Sequence, residues 1–312
     1  MREKPVAAAT ATVAAGSPPI RLLVLDVDGT VTNSRHEITE GTCRAVAEIR
    51  AAGIRVLLAT GRRYRDTLPV AARLGIDAPL VTASGALVKR PTDHATLARA
   101  EFGTGVLEGV LTKIVAAGHE PVLYTDSFAH GFDFHCRSNS GPPTATAGED
   151  DGTGCGDAPQ GLAEYLDRNR AVARIAPDLD RVVPVGVFAG FAMGLHQQML
   201  DLEAALHAAY PGQLSLHTIR SPRYRHWMCE IAPAGVTKWS GVMPVAQAWG
   251  ITPAQICAVG DDVNDLPMIL AAGLGIAMGN ARPEVLAAAD RIVGPHDEDG
   301  LADVAALLLA AR

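Results

Sequence analysis

The chain has 312 residues, enough for about two domains with a sizeable core, and its 48% apolar and 20% charged content is that of an ordinary globular protein. Acids outnumber bases 34 to 27, a formal charge of −7, and no Lys/Arg cluster stands out, which argues against a nucleic-acid or anionic-membrane surface. The five cysteines (Cys43, Cys136, Cys155, Cys229, Cys257) are scattered and form no CxxC pair; this excludes a disulfide framework or a standard zinc site and fits a reducing cytoplasm.

Residues 1–19, rich in Ala, Thr and Pro, lack the long Leu/Ile/Phe core of a targeting segment and read as a flexible tail. No run is long enough for a membrane span. Arg21–Leu25 is the first strand; its apolar run Leu22–Leu25 is of the kind buried on both faces of a parallel sheet and ends at Asp26-Val27-Asp28-Gly29-Thr30. A helix over Thr39–Ala52 stops at Gly53. Arg55–Ala59 is a second strand, ending at Thr60-Gly61-Arg62; Arg65–Leu74 is helical despite Pro69; Pro79–Thr82 is a third short strand running into Ala83-Ser84-Gly85-Ala86. This alternation indicates βαβ units.

The rhythm changes after about Val88. Residues 89–232 offer strands at Val122–Thr125, Val182–Phe188, Leu214–Thr218 and His226–Ile231, and a helix at Gln197–Ala209. A Gly/Ser/Pro/Thr-rich stretch over Arg137–Gly161 reads as a long loop. The region is α+β and mostly antiparallel in pattern. From Pro233 the α/β rhythm returns, with helices at Lys238–Trp249, Pro267–Ala272, Pro283–Ala288 and Leu301–Ala311 and strands at Ile256–Val259 and Leu274–Ala277. One domain, 89–232, is therefore expected to be inserted into another made of 20–88 and 233–312.

The acids sit where an open α/β sheet binds ligands, outside the carboxyl ends of the strands. Asp26 and Asp28 share one side while the chain stays extended, and two crowded carboxylates need a cation, a shared proton or solvent to relieve them. A second acidic cluster, Gly260-Asp261-Asp262-Val263-Asn264-Asp265, follows the strand at Ile256–Val259. Thr60-Gly61 can hold a phosphate oxygen, or can be a plain turn. Lys238 lies in a first helical turn, where the helix dipole slightly disfavours a cation. Hard oxygen ligands with few nitrogens or sulfurs suit Mg²⁺. No GxxxxGK[ST] loop is present. Candidate substrate contacts in the 89–232 region are Tyr124-Thr125-Asp126 and Arg220–His226, where the arginines either bind an extra anionic group or form a solvated face. His130, His135, Cys136 and Cys155 fit no standard metal-site spacing.

On these motifs the chain resembles the haloacid dehalogenase (HAD) superfamily, specifically the Cof-type phosphatases with a type IIB cap. DVDGT at Asp26–Thr30, ATGR at Ala59–Arg62, GVTK at Gly235–Lys238 and GDDVND at Gly260–Asp265 match in order and spacing, and AMGNA at Ala277–Ala281, PEV at Pro283–Val285 and DEDG at Asp297–Gly300 are similar to the subfamily's C-terminal pattern. The resemblance implies a Rossmann-like parallel-sheet α/β core with an inserted α+β cap. It implies that Asp26 is the nucleophile, Asp28 the general acid/base, and Mg²⁺ is held by Asp26, the Asp28 carbonyl and Asp261, with Asp265 joining through the metal shell or a water. Thr60, Gly61, Lys238 and Asn264 would hold the phosphoryl group, and Ser84 and Arg223 would meet the substrate. Ser84 departs from the usual Asn of the subfamily. The expected function is a Mg²⁺-dependent phosphatase of a small phosphorylated metabolite, a sugar phosphate or phosphorylated cofactor, acting in the cytoplasm as a monomer or homodimer. A phosphomutase and a non-catalytic phospho-ligand-binding protein are the alternatives.

Overall fold

The computed structural model describes residues 18–137, 160–221 and 223–310. The first elements are β1 (Leu22–Leu25), α1 (Glu40–Ala51), β2 (Arg55–Leu58), α2 (Tyr64–Arg73), β3 (Leu80–Thr82), β4 (Leu87–Lys89) and β5 (Thr96–Arg99). There follow α3 (Val106–Ala116), β6 (Val122–Thr125), β7 (Phe134–Cys136), α4 (Gln160–Arg168), β8 (Ala173–Ile175), β9 (Val187–Gly194), α5 (His196–Ala209), β10 (Leu214–Arg220) and β11 (Trp227–Pro233). The chain closes with α6 (Lys238–Ala248), β12 (Ile256–Gly260), α7 (Leu266–Ala271), β13 (Leu274–Ala277), α8 (Pro283–Ala288), β14 (Arg291–Ile292) and α9 (Leu301–Ala310).

Five strands form a parallel sheet in the order β14-β13-β12-β1-β2. The interior strand β1, between β12 and β2, is buried at every position because helices cover both faces, which is why Leu-Leu-Val-Leu carries no polar alternation. One face packs on α1 and α9, where Val46, Ile49, Val304 and Leu308 join the core around Leu23 and Leu25. The other packs on α6 and α7 through Val242, Val245 and Met268 against Leu22 and Val24.

The expected third strand is present but belongs elsewhere. Leu80–Thr82 pairs antiparallel with β4, in a small sheet β3-β4-β5, and touches the parallel sheet through a single bridge between Ala59 and Val81. The cause is local: Ala83, Ser84 and Gly85 all take positive φ (48°, 53° and 100°), which turns the chain back on itself.

The region 122–233 forms a second sheet, β10-β11-β9-β6-β7-β8, antiparallel except for the β7–β8 pair. Here the expected strand Val182–Phe188 is displaced to Val187–Gly194. Val182 and Val185 are exposed, Pro184 lacks a donor, and Gly186 turns at φ 78°, so pairing begins only after it. Gly190 admits the neighbouring strand: a Cβ there would come within 2.7 Å of the Val122 carbonyl oxygen. Of the expected loop Arg137–Gly161, residues 138–159 lie outside the described residues, and Gln160-Gly161 open α4. No helix among the described residues is long and apolar enough to cross a membrane.

Ion pairs and a hydrogen bond join the two layers near α2. Arg65 grips Asp133 at 2.9–3.1 Å, Lys89 meets Asp126 at 2.5 Å, and buried Arg63 bonds to Asn169. These contacts seat the second sheet over the carboxyl ends of β1, β2 and β12.

Candidate active site

The sheet brings four distant segments to one point. Asp26 follows β1 directly, its N–H donating to the Val259 carbonyl at 3.0 Å, so the two acidic strand ends are pinned side by side. Lys238 is the first residue of α6, whose N-cap Thr237 accepts from the Ser240 N–H. The lysine is 1% exposed, and its Nζ donates to Asp26 Oδ1 and to Asp265 Oδ1, both at 2.7 Å. Asp265 is fully buried; its Oδ2 accepts from the N–H groups of Asp261 (2.9 Å) and Asp262 (3.1 Å). Asp261 and Asp265 thus meet through a turn that folds back on itself.

Carboxylate oxygens of Asp26, Asp261 and Asp265 lie within 4.8 Å of one another. Fully ionised, the three would carry three negative charges against one from Lys238, a group that a divalent cation would balance. Burial, with the charges of Asp26 and Asp265, pushes the Asp261 carboxyl well above the carboxylate range. Burial likewise pushes Asp26 up to about 7, against the pull of Lys238. An all-oxygen donor set in need of positive charge fits Mg²⁺. Gly29, at φ 77°, is required here, because a Cβ would sit 2.1 Å from Asp261 Oδ2.

Asp28 points elsewhere. Arg62 grips its carboxylate with two bonds, Nε to Oδ2 at 2.8 Å and Nη2 to Oδ1 at 2.6 Å. Burial pushes this carboxyl up, but the bonds and charge of Arg62 outweigh it and hold it below the usual value. The carboxylate of Asp28 is therefore outside the three-acid cluster, consistent with an expected metal contact through its carbonyl alone. Replacing Arg62 by Ala is expected to cost about 1.5–3 kcal/mol at neutral pH, since both side chains are largely buried. An acid with a depressed folded pKa stabilises above its unfolded value near 3.8 and loses that contribution as pH falls through the folded value. The gap between wild type and Arg62→Ala should accordingly close on acidification below about pH 4 in denaturant titrations; a gap independent of pH would refute the pairing.

A cavity of about 220 Å³ opens onto these groups. Its floor is Asp26, Asp28, Thr60, Gly61, Lys238, Asp261 and Asn264; its roof is Tyr124, Ile219, Met228 and Glu230 from the second sheet, Tyr165 from α4 and Tyr224 from the β10–β11 loop, with Arg220 and Arg223 at the side. Thr60 is held by its N–H to the Val81 carbonyl, and Asn264 Oδ1 is buried without a partner. Arg223 is exposed, yet its charge reaches Asp28. Of the other expected contacts, Thr125 and Asp126 line a separate small cavity, and Ser84 bonds to Glu230 rather than lining the main one. Among the described residues His130, His135 and Cys136 form no metal cluster. Sequence reasoning missed Glu230, Tyr165 and Met228. The one available signal was a single acid inside the apolar run Trp227–Ala232. A larger groove, about 790 Å³, lies beside Arg55, Val88 and Trp249 and contains none of the clustered acids.

The family model for haloacid dehalogenase-like hydrolases matches residues 23–150 and 186–304. Stress response protein YhaX of Bacillus subtilis is 27% identical over 311 residues, covering 90% of this chain and 91% of that protein. The 5-amino-6-(5-phospho-D-ribitylamino)uracil phosphatase YitU of the same organism is 24% identical, covering 90% and 94%. Among solved structures, a haloacid dehalogenase-like hydrolase from Bacteroides thetaiotaomicron shares the fold with a TM-score of 0.71 at 23% identity, covering 92% of this chain and 98% of that one. Strand-end acids on a parallel sheet beneath a second, mixed layer are thus those of the haloacid dehalogenase-like hydrolases, and the chain belongs to that family. A haloacid dehalogenase subclass IIB sugar phosphatase also shares the fold, with a TM-score of 0.69 at 19% identity, covering 91% of this chain and 97% of that one.

Proposed function

We propose that the protein is a Mg²⁺-dependent phosphatase that hydrolyses a small phosphorylated metabolite through an aspartyl-phosphate on Asp26, with residues 20–88 and 233–312 as core and 89–232 as cap. The observation that carries this reading is the convergence of Asp26, Lys238, Asp261 and Asp265 beside the Thr60-Gly61 turn, in one buried site open to a substrate-sized cavity. The similarity to a 5-amino-6-(5-phospho-D-ribitylamino)uracil phosphatase supports a small-molecule ester as substrate.

Lys238 holds Asp26 Oδ1 and so orients Oδ2 toward an incoming phosphorus. Attack forms the Asp26–phosphorus bond as the ester oxygen leaves, and Asp28 gives that oxygen its proton. Water then attacks the phosphorus, Asp28 takes the water's proton, and Asp26 and inorganic phosphate are released. Thr60, the Gly61 N–H, Asn264 and Lys238 offset the phosphoryl oxygens' charge throughout. Arg62 keeps Asp28 ionised, the form the second step needs; donation in the first step requires that this contact loosen as substrate enters. Asp26, Asp261 and Asp265, with the Asp28 carbonyl, would hold Mg²⁺, which supplies Lewis-acid neutralisation of the phosphoryl charge.

Phosphate release from a panel of phosphorylated metabolites is expected with Mg²⁺, to vanish in excess EDTA, and to return when Mg²⁺ is restored. Undiminished release in EDTA would overturn the metal assignment, and isomerised ester without free phosphate would mark a mutase instead.

A further inference from the structure

The residue on which the cap strand β11 meets the phosphate turn is Glu230. It is the sole acid in Trp227–Pro233, and its carboxylate stands over Gly61: a Cβ built there would lie 3.4 Å from both Glu230 Oε1 and Ser84 Oγ. Ser84 Oγ donates to Glu230 Oε2 at 2.9 Å. Ser84 is itself locked to the phosphate turn through the main chain. Its N–H donates to the Thr60 carbonyl at 3.0 Å, and the Ala83 N–H to the Arg62 carbonyl at 2.9 Å. Both residues sit in the left-handed region, at φ 53° and 48°, a conformation non-glycine residues keep only when their surroundings fix it. One side of Glu230 faces the substrate cavity and the other a void of about 20 Å³ shared with Ser215 and His217.

This is a costly place for a carboxylate. Burial raises its pKa, against the influence of His217, Ser84 and Lys238. An ionised carboxyl has about four lone-pair sites, and Ser84 fills one. The phosphoryl group bound beside it adds negative charge. What the position lacks is a further hydrogen-bond donor arriving with the substrate, on the side of the phosphorus where the ester's organic group must lie.

Resting on the phosphatase reading above, we infer that Glu230, held in place by Ser84, is a specificity-determining residue: its Oε1 accepts a hydrogen bond from a hydroxyl of the leaving group and selects polyol or sugar esters over alkyl esters of the same size. Tyr124, Tyr165 and Tyr224 give that organic group flat walls with polar tips. A site built to pair a substrate hydroxyl discriminates strongly against analogues that lack it, because its own buried group is then left unpaired.

The test compares kcat/KM for glycerol 1-phosphate with propyl phosphate, and for sorbitol 6-phosphate with hexyl phosphate, in Mg²⁺, using wild type, Glu230→Ala, Glu230→Gln and Ser84→Gly. Wild type should favour each hydroxylated ester by about 10-fold or more. Glu230→Ala should bring both ratios toward one, mainly through KM for the hydroxylated esters. Glu230→Gln, which keeps an acceptor oxygen and the contact with Ser84, should hold an intermediate ratio, and Ser84→Gly should lower the ratio without removing it. Equal losses on both members of each pair, or a wild-type ratio near one, would overturn the inference. Absence of phosphate release from all four esters and from 4-nitrophenyl phosphate by wild type would instead overturn the phosphatase reading itself.

Discussion

Asp26→Asn is expected to lower phosphate release by about 10³-fold or more, the scale on which removal of a covalent nucleophile acts. The change is nearly isosteric, and the position is buried at 5% exposure. The amide oxygen can still accept from Lys238, which also keeps Asp265, so the fold should survive. Burial already pushes the Asp26 carboxyl up to about 7, so a neutral side chain there relieves a desolvated charge rather than creating a defect. Two measurements separate chemistry from folding. Thermal unfolding of the variant should match or exceed that of wild type. Acid-quenched wild-type enzyme mixed with labelled substrate should carry a phosphoryl group that hydroxylamine removes, and the variant should carry none. Wild-type-like turnover in Asp26→Asn would sink the assignment of the nucleophile.

Lys238→Met should lose both activity and stability. The lysine supplies the only positive charge bonded to Asp26 and Asp265 among the described residues, and all three are nearly inaccessible. Removing one partner of a buried charge group leaves the other unpaired, at about 3–5 kcal/mol. Methionine keeps the volume, so lost packing contributes little. The sign of the pH dependence follows from the acids. Asp26 binds its proton more tightly folded than unfolded, and without Lys238 its folded pKa rises further. The folded state then holds more protons than the unfolded one, so stability falls as pH rises from about 4 through about 7 and beyond. Below about pH 7 Asp26 is protonated in both folded proteins, so the deficit of Lys238→Met should be smallest in acid and grow as pH rises through about 7 and beyond. Denaturant midpoints measured across that range without divalent cation would show it; a deficit that shrinks with rising pH would contradict the buried-pair account.

The parallel sheet and its strand-end acids were legible in the sequence because burial on both faces leaves no polar alternation to confuse. Leu22–Leu25 and Ile256–Gly260 are uninterrupted apolar runs that end in acids, and Leu274–Ala277 runs on through buried Met278 to Gly279-Asn280. The second layer was harder to read. α3 contains three valines, an isoleucine, a threonine and a glycine, weak helix formers that tertiary packing against Leu206 and Ile231 overrides. Its Gly109 answers to Tyr210, whose hydroxyl would lie 1.9 Å from a Cβ, a contact a hundred residues away that no local pattern carries. Strands β7 and β8 are three residues each, too short for any period to register. The site divides the same way. Asp26, Asp261, Asp265 and Lys238 announce themselves by position at element ends. Glu230 sits inside a strand, and its role depends on which way a sheet face turns and on what lies opposite it.

The separation in sequence of the clustered groups has a kinetic consequence. Lys238 and Asp26 are 212 residues apart, and Thr30 and Asp261 231 apart, yet each pair is bonded. Strand β1 finds one neighbour, β2, at once, but its other neighbour, β12, must wait until nearly the whole chain has left the ribosome. Until then two acids stand at an unpaired sheet edge with no lysine beside them. Long-range parallel pairing of this kind is slow, because loop closure precedes the contacts that reward it. The step that completes the sheet is also the step that assembles the catalytic group, so on refolding, activity should return in the same phase as the sheet and not before it.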